Sequence, residues 1–257
     1  MRTARKRQIS AVLLDLDDTL IVEEAHAKGQ LRATAGLAGV EPEIWEALVL
    51  ETARSEWYAS EQHAACQDLG IASWEGLWAT FEGAHPLISP LLGFVEGYRQ
   101  RTWTRCLERA GKDPELAPEL SRMYIECQRA GHPLAPGAAE LVRRAVAVGP
   151  VALVTNGPPD IQRLKLEQTG LAGYFSAVVI SGELGRGKPD PEVFLGAVDA
   201  LGAEAHDAVM VGDNWERDVE GALSAGLRAV WISHGRETPA VDERVGIAQG
   251  AGDVTFG

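Results

Sequence analysis

The stretch "ISAVLLDLDDTL" (residues 9 to 20) decides how this sequence folds. Its first half is a nearly unbroken apolar run, the pattern of a strand covered on both faces in a parallel sheet. Its second half turns abruptly acidic, with Asp15, Asp17 and Asp18 followed by Thr19. In extended backbone residues two apart face the same way, so Asp15 and Asp17 can present a pair of carboxylates just beyond the strand.

Working outward, four more apolar runs follow: "PVALVTNG" (150 to 157), "SAVVISG" (176 to 182), "HDAVMVGDN" (206 to 214) and "LRAVWIS" (227 to 233). Between them lie "PDIQRLKLEQTG", "DPEVFLGAVDALG" and "WERDVEGALSAG", with apolar residues three or four apart and a glycine at the end of each. This alternation predicts an α/β fold, a doubly wound, five-stranded, mainly parallel Rossmann-like sheet. Residues 22 to 130 break the pattern. Ile44 and Leu48, Trp74 and Trp78, and Val95 and Tyr98 stand at helical spacings, and five of the seven tryptophans fall here. The stretch is far too long for a crossover loop, so an all-helical domain over 22–130 is expected, inserted between core segments 1–21 and 131–257. "AGHPLAPG" (130 to 137) supplies the returning hinge, and the tryptophans of the insert read as helical core. The tail from Glu237 is weakly patterned and is expected to be partly mobile.

Composition limits the partners. The 257 residues carry 37 acids against 24 basic residues, a formal net charge of -13. Such a field repels nucleic-acid polymers and acidic membrane surfaces, so any anionic ligand needs local positive charge. No run approaches the ~20 apolar residues of a membrane-spanning helix. The basic opening "MRTARKRQIS" is followed by too short an apolar run for a signal peptide. Cys66, Cys106 and Cys127 show no C-x-x-C spacing, which favours reduced thiols and a cytoplasmic location. His26, His63 and His85 show no metal-ligand pattern.

In open α/β sheets ligands bind beyond the carboxyl ends of the strands. There the sequence places Asp15 and Asp17, then Thr155 and Asn156, Lys188, and Asp213 with Asp218 five residues on. Carboxylates gathered in one crevice call for a cation, and Mg²⁺ is the hard, oxygen-preferring choice. Gly182, Gly187 and Lys188 also match the G-x-x-x-x-G-K spacing of a nucleotide-binding P-loop. That loop requires Ser or Thr next, and Pro189 stands there instead.

These motifs resemble those of the haloacid dehalogenase (HAD) superfamily. "LLDLDDTL" is similar to its D-x-D-x-T signature, "LVTNG" to its second motif, "GKPDP" to its lysine motif and "MVGDNWERD" to its acidic fourth motif. They come in the family's order, and the insert falls where members with a helical cap carry theirs. The resemblance implies that Asp15 is a nucleophile forming an aspartyl-phosphate and that Asp17 is the general acid and base. Lys188 would meet the phosphate and steady Asp15. Thr155, with the amides of Asn156 and Gly157, would hold the phosphate. Mg²⁺ would be bound by Asp15, the Asp17 carbonyl and Asp213, with Thr19 supporting them, Asp218 behind them or occasionally on the metal itself, and Asp18 structural. Asp17 points to phosphoryl transfer rather than dehalogenation, because halide leaves without protonation. The implied activity is a Mg²⁺-dependent phosphatase of a small phosphorylated metabolite, monomeric or homodimeric, nearest the phosphoglycolate, sialic-acid 9-phosphate and nucleoside monophosphate phosphatases. A sugar phosphomutase and a non-catalytic HAD-like binding protein are the alternatives. Arg54, Arg99, Arg101 and Arg105 of the insert can in principle read an anion, but arginines on a solvated helix face are commoner and are left out of the site.

Overall fold

A computed structural model describes residues 9–239 and 242–256; most of the basic opening lies outside them. The core sheet contains β1 (Ala11–Leu14), β2 (Val151–Thr155), β3 (Ala177–Ile180), β4 (Ala208–Gly212), β5 (Arg228–Ile232) and β6 (Val245–Ala248). Their order is β3-β2-β1-β4-β5-β6, with every neighbouring pair parallel. Among the described residues the sheet therefore has six strands, not the five expected from the sequence. The extra strand is the edge segment "VGIA", four residues with a glycine and an exposed Ile247, too short and too half-solvated to read as a buried run. It lies in the tail expected to be partly mobile, and it pairs with β5 from Ala229↔Val245 to Ile232↔Ala248.

Alternation along the central strands feeds two cores. Val12, Leu14, Val151, Leu153, Val209 and Val211 enter one face, which α7 (Ala138–Val148) covers with Leu141, Val142 and Ala145. Ala11, Leu13, Ala152, Val154, Ala208 and Met210 enter the other, under Val193, Phe194 and Ala197 of a later helix. Burial of each larger side chain contributes about 1.5–3 kcal/mol, and this double cover makes the runs continuously apolar.

Between β1 and α7 the chain forms α1 (Glu24–Ala38), α2 (Pro42–Tyr58), α3 (His63–Asp68), α4 (Ser73–Gly76), α5 (Leu91–Arg109) and α6 (Ala117–Arg129). They close on their own cluster, in which Trp45, Trp57, Trp78, Trp103, Tyr98 and Tyr124 are buried. The outgoing and returning chains run side by side: Val22 donates to the Pro133 carbonyl and Ala135 to the Leu20 carbonyl, each at 2.9 Å. The remaining helices are α8 (Pro159–Gln168), α9 (Ser181–Leu184), α10 (Pro191–Ala200) and α11 (Gly221–Ser224), the last preceded by a wide helical turn at Trp215–Glu220. Asp160 of α8 holds the helical insert by accepting from the Thr80 and Phe81 amides at 2.6 and 3.1 Å. The Ser181 hydroxyl adds a bond to the Leu69 carbonyl at 2.7 Å. Among the described residues no helix is long and apolar enough to cross a membrane.

Candidate active site

The sheet order changes direction between β1 and β4, and the crevice at such a switch point is where α/β sheets bind ligands. Asp15 follows β1 and Asp213 follows β4, so the two acids flank it. The loop after β1 is tight, with the amides of Thr19, Leu20 and Ile21 all returning to the Leu16 carbonyl. Asp18, at φ 53°, accepts from the Glu23 and Glu24 amides, so its carboxylate tethers the start of α1. Thr19 donates to Asp15 Oδ2 at 3.1 Å.

Lys188 reaches the same point from the loop after β3. Its buried ammonium donates to Asp15 Oδ1 and to Asp218 Oδ1, each at 2.6 Å. Asn156, past the end of β2, fixes that lysine by its backbone: Asn156 Nδ2 donates to the Lys188 carbonyl and the Lys188 amide donates to Asn156 Oδ1, both at 2.9 Å. Gly187 is a tight position, where a Cβ would lie 3.0 Å from the Asn156 side-chain amide. The glycines that mimic a P-loop are thus close-approach positions. Asp218 sits one turn into the helix that Asn214 caps, and its Oδ2 accepts the Asn214 amide at 2.9 Å. That pose needs Gly212, whose absent Cβ would stand 2.3 Å from Asp218 Oδ2.

Carboxylate oxygens of Asp15, Asp213 and Asp218 lie within 4.8 Å of one another. Burial pushes the Asp15 carboxyl well above its ordinary value; Lys188 opposes this, while Asp218, Asp213 and Asp17 reinforce it. Asp213 is pushed up to about 6 by burial and by Asp218, although Arg236 pairs with it at 3.2 Å. For Lys188 burial alone would favour the neutral amine, yet Asp15 and Asp218 raise its pKa. Lys188 and the half-exposed Arg236 do not neutralise three clustered acids, and a hard dication with oxygen ligands fits this donor set.

The sequence-derived residues are brought together with three differences. Asp17 lines the same cavity, but its carboxylate accepts from Gln162 Nε2 at 2.9 Å and from Lys165 Nζ at 3.1 Å. Asp218 joins the acidic cluster directly rather than supporting it from behind. The Gly157 amide does not face the cavity as expected; it donates to Ser181 Oγ at 3.0 Å and is spent there. Thr155 and Asn156 do line the cavity, with Gln162 Nε2 donating to Thr155 Oγ1 at 2.6 Å.

A second buried lysine was missed by sequence reasoning. Lys165 of α8 is fully buried and pairs with Asp17, with Glu23 at 2.9 Å and with Glu75 of the insert at 3.9 Å. Its pKa is raised against the pull of burial by these acids, led by Asp17. Burial holds Glu23 up at about 7 and Glu75 at about 8, against the pull of Lys165. His132 stands 3.3 Å from Glu23, and burial with Lys165 lowers it to about 4. A signal existed: Gln162 and Lys165 share the inward face of α8 with Ile161 and Leu166, and polar residues on an apolar stripe need partners.

The cavity over these groups has a volume of about 630 Å³ and is walled on the insert side by Arg54, Trp57, Tyr58 and residues 70–75. Among the arginines weighed from sequence, Arg99 donates to the Gly76 and Ala79 carbonyls and Arg101 and Arg105 pair with Glu56. Arg54 alone of the four lines the cavity.

A sheet switch point carrying paired aspartates, a buried lysine and an acidic cluster defines a hydrolase of the HAD class. The chain belongs to the haloacid dehalogenase-like hydrolases, whose family model matches residues 9–226. It is 40% identical over 228 residues to the phosphoserine phosphatase of Thermus thermophilus, covering 87% of this chain and 88% of that one. Over a shorter stretch of 88 residues, 34% of this chain and 36% of the relative, it is 46% identical to the N-acylneuraminate-9-phosphatase of Mus musculus. The fold matches that of the HAD-hydrolase YfnB from Bacillus subtilis, solved bound to magnesium, with a TM-score of 0.60 at 20% identity over 95% of this chain and 96% of that one.

Proposed function

We propose that the protein hydrolyses a small phosphomonoester through an aspartyl-phosphate on Asp15, with Mg²⁺ at the Asp15, Asp213 and Asp218 carboxylates. The observation that carries this is the convergence of Asp15, Lys188, Asp213 and Asp218 on the cavity that Asp17 also lines. The phosphatase names of the relatives agree with it.

When bound, the metal supplies charge neutralisation and polarises a phosphate oxygen. The chain does the rest. Lys188 holds Asp15 Oδ1 and leaves Oδ2, steadied by Thr19, to attack phosphorus. The P–O bond to the leaving alcohol breaks with its electron pair on that oxygen, which takes a proton from Asp17. Asp17, now ionised, accepts a proton from water as the resulting hydroxide attacks the same phosphorus, and the Asp15 acyl-phosphate bond breaks to release phosphate. Gln162 and Lys165 fix the direction of Asp17 through both steps. Thr155 and the Asn156 amide bind phosphate oxygens. The helical insert, residues 22–130, acts as a cap that excludes bulk water.

Phosphate release from a panel of small phosphomonoesters tests this, with Asp15→Asn as the blank. The expected result is turnover in the parent chain and loss of at least about a thousandfold in the variant. Comparable turnover in both removes Asp15 from the reaction.

A further inference from the structure

Resting on that reading, we propose that the leaving group carries a second anionic group, seated against Arg54 of the insert and Arg217 of the core. Both arginines line the cavity that holds Asp15 and Asp17. Neither has an acidic partner among the described residues; Arg217 bonds only through its backbone amide, to Asn214 Oδ1.

The other charges of the cavity are already engaged. Arg236 pairs with Asp213, Lys188 with Asp15 and Asp218, and Glu24 with Lys28. Glu23 and Glu75 face Lys165, and Asp18 holds backbone amides. Elsewhere in the insert Arg32, Arg101, Arg105, Arg109 and Arg122 meet glutamates, and Arg99 is engaged by the Gly76 and Ala79 carbonyls. Among the described residues Arg99, Arg129 and Arg144 also lack a carboxylate partner, but they lie outside this cavity, whereas Arg54 and Arg217 both line it.

Their positions separate them from the nucleophile. Arg54 is exposed on α2, on the insert side opposite the strand ends. Arg217 stands at the seam, where its Nη1 would lie 3.0 Å from a Cβ on Gly70 of the insert. Gly70, at φ 67°, lets the two parts meet there without displacing either Arg217 or Asn156. A guanidinium from each side makes a planar, always charged seat for a carboxylate or phosphate, beyond the ester oxygen that Asp17 serves.

Matched esters test it. Phosphoglycolate is compared with ethyl phosphate, phosphoserine with phosphoethanolamine, and ethylene glycol bisphosphate with the monophosphate; the first two pairs report a carboxylate and the third a second phosphate. The parent enzyme should favour the charged member by about tenfold or more in kcat/KM in at least one class. Arg54→Ala and Arg217→Ala should each cut that ratio about fivefold or more, and Arg54→Lys should restore part of it. A ratio near one in the parent overturns the inference, and so does a ratio that both alanine variants leave intact. Calorimetric binding of the same pairs to the Asp15→Asn protein with Mg²⁺ separates the two readings. Charge preference in binding without hydrolysis by the parent condemns only the phosphatase reading, whereas equal binding of both members condemns the second-anion seat.

Discussion

Among the described residues two lysines are buried, and each holds one aspartate of the Asp15–Asp17 pair. Lys188 answers Asp15 and Asp218 with two aligned hydrogen bonds of 2.6 Å, and Asn156 clamps its backbone on both sides. All of these groups come from the sheet core. Lys165 answers Asp17, Glu23 and Glu75, but the Glu23 carboxylate, though 2.9 Å from it, makes no aligned hydrogen bond, and neither does the His132 ring beside it. Glu75 belongs to the helical insert. The first network is complete and local; the second is under-satisfied and spans two parts of the molecule. A buried network whose members are all satisfied is rigid, while one with idle polar atoms is sensitive to small displacements. We read Lys188 as fixing Asp15, the proposed nucleophile, regardless of the insert, and Lys165 as tying Asp17, the proposed acid and base, to the insert's position.

Removing each lysine breaks or sharpens that contrast. Lys188→Met leaves Asp15 and Asp218 buried face to face, and breaking a buried pair from one side costs about 3–5 kcal/mol. Denaturant unfolding should show that loss, with phosphate release reduced about a thousandfold or more. Lys165→Met should cost less, roughly 1–3 kcal/mol, because Glu23 and Glu75 already sit near neutrality and can take up protons. Its turnover should fall about ten- to a hundredfold through loss of Asp17 orientation. Equal losses for the two variants would erase the distinction.

The smallest effect is on pH dependence. Glu75 has its carboxyl raised from 4.5 to about 8, so the folded chain binds a proton that the unfolded chain releases in that window. Its contribution to stability is therefore full below pH 4.5 and is lost as pH rises through about 8. His132 works in the opposite sense, lowered from 6.5 to about 4, and is neutral in both states above that range. Between pH 7 and 8 the Glu75→Gln variant should lose less stability than the parent, by roughly 1 kcal/mol, read from denaturant midpoints. Parallel curves would show that Glu75 does not titrate there.

The same contrast explains what was legible in the sequence. Asp15, Asp213 and Lys188 terminate or follow apolar strand runs, and the parallel-sheet rule sends such ends to one crevice. Lys165 and Glu75 are not at strand ends. They meet only because α8 packs on the insert, a tertiary event with no local pattern beyond polar residues on an apolar helix face. The orientation of Asp17 was hidden for the same reason, and the Gly157 amide was misassigned because Ser181, 24 residues away, takes it. The edge strand β6 went unread because half-exposed positions weaken the apolar signal that marked its neighbours.

The claim under everything else is that Asp15 is covalently phosphorylated during turnover. It is tested most directly by acid-quenching the enzyme in mid-turnover with a hydrolysable phosphomonoester and Mg²⁺, reducing with borohydride and mapping peptides by mass spectrometry. The account predicts homoserine at position 15, the product of reducing an aspartyl-phosphate, and none in the Asp15→Asn protein. Rapid phosphate release with an unmodified position 15, or with the reduced product at another side chain, would contradict it.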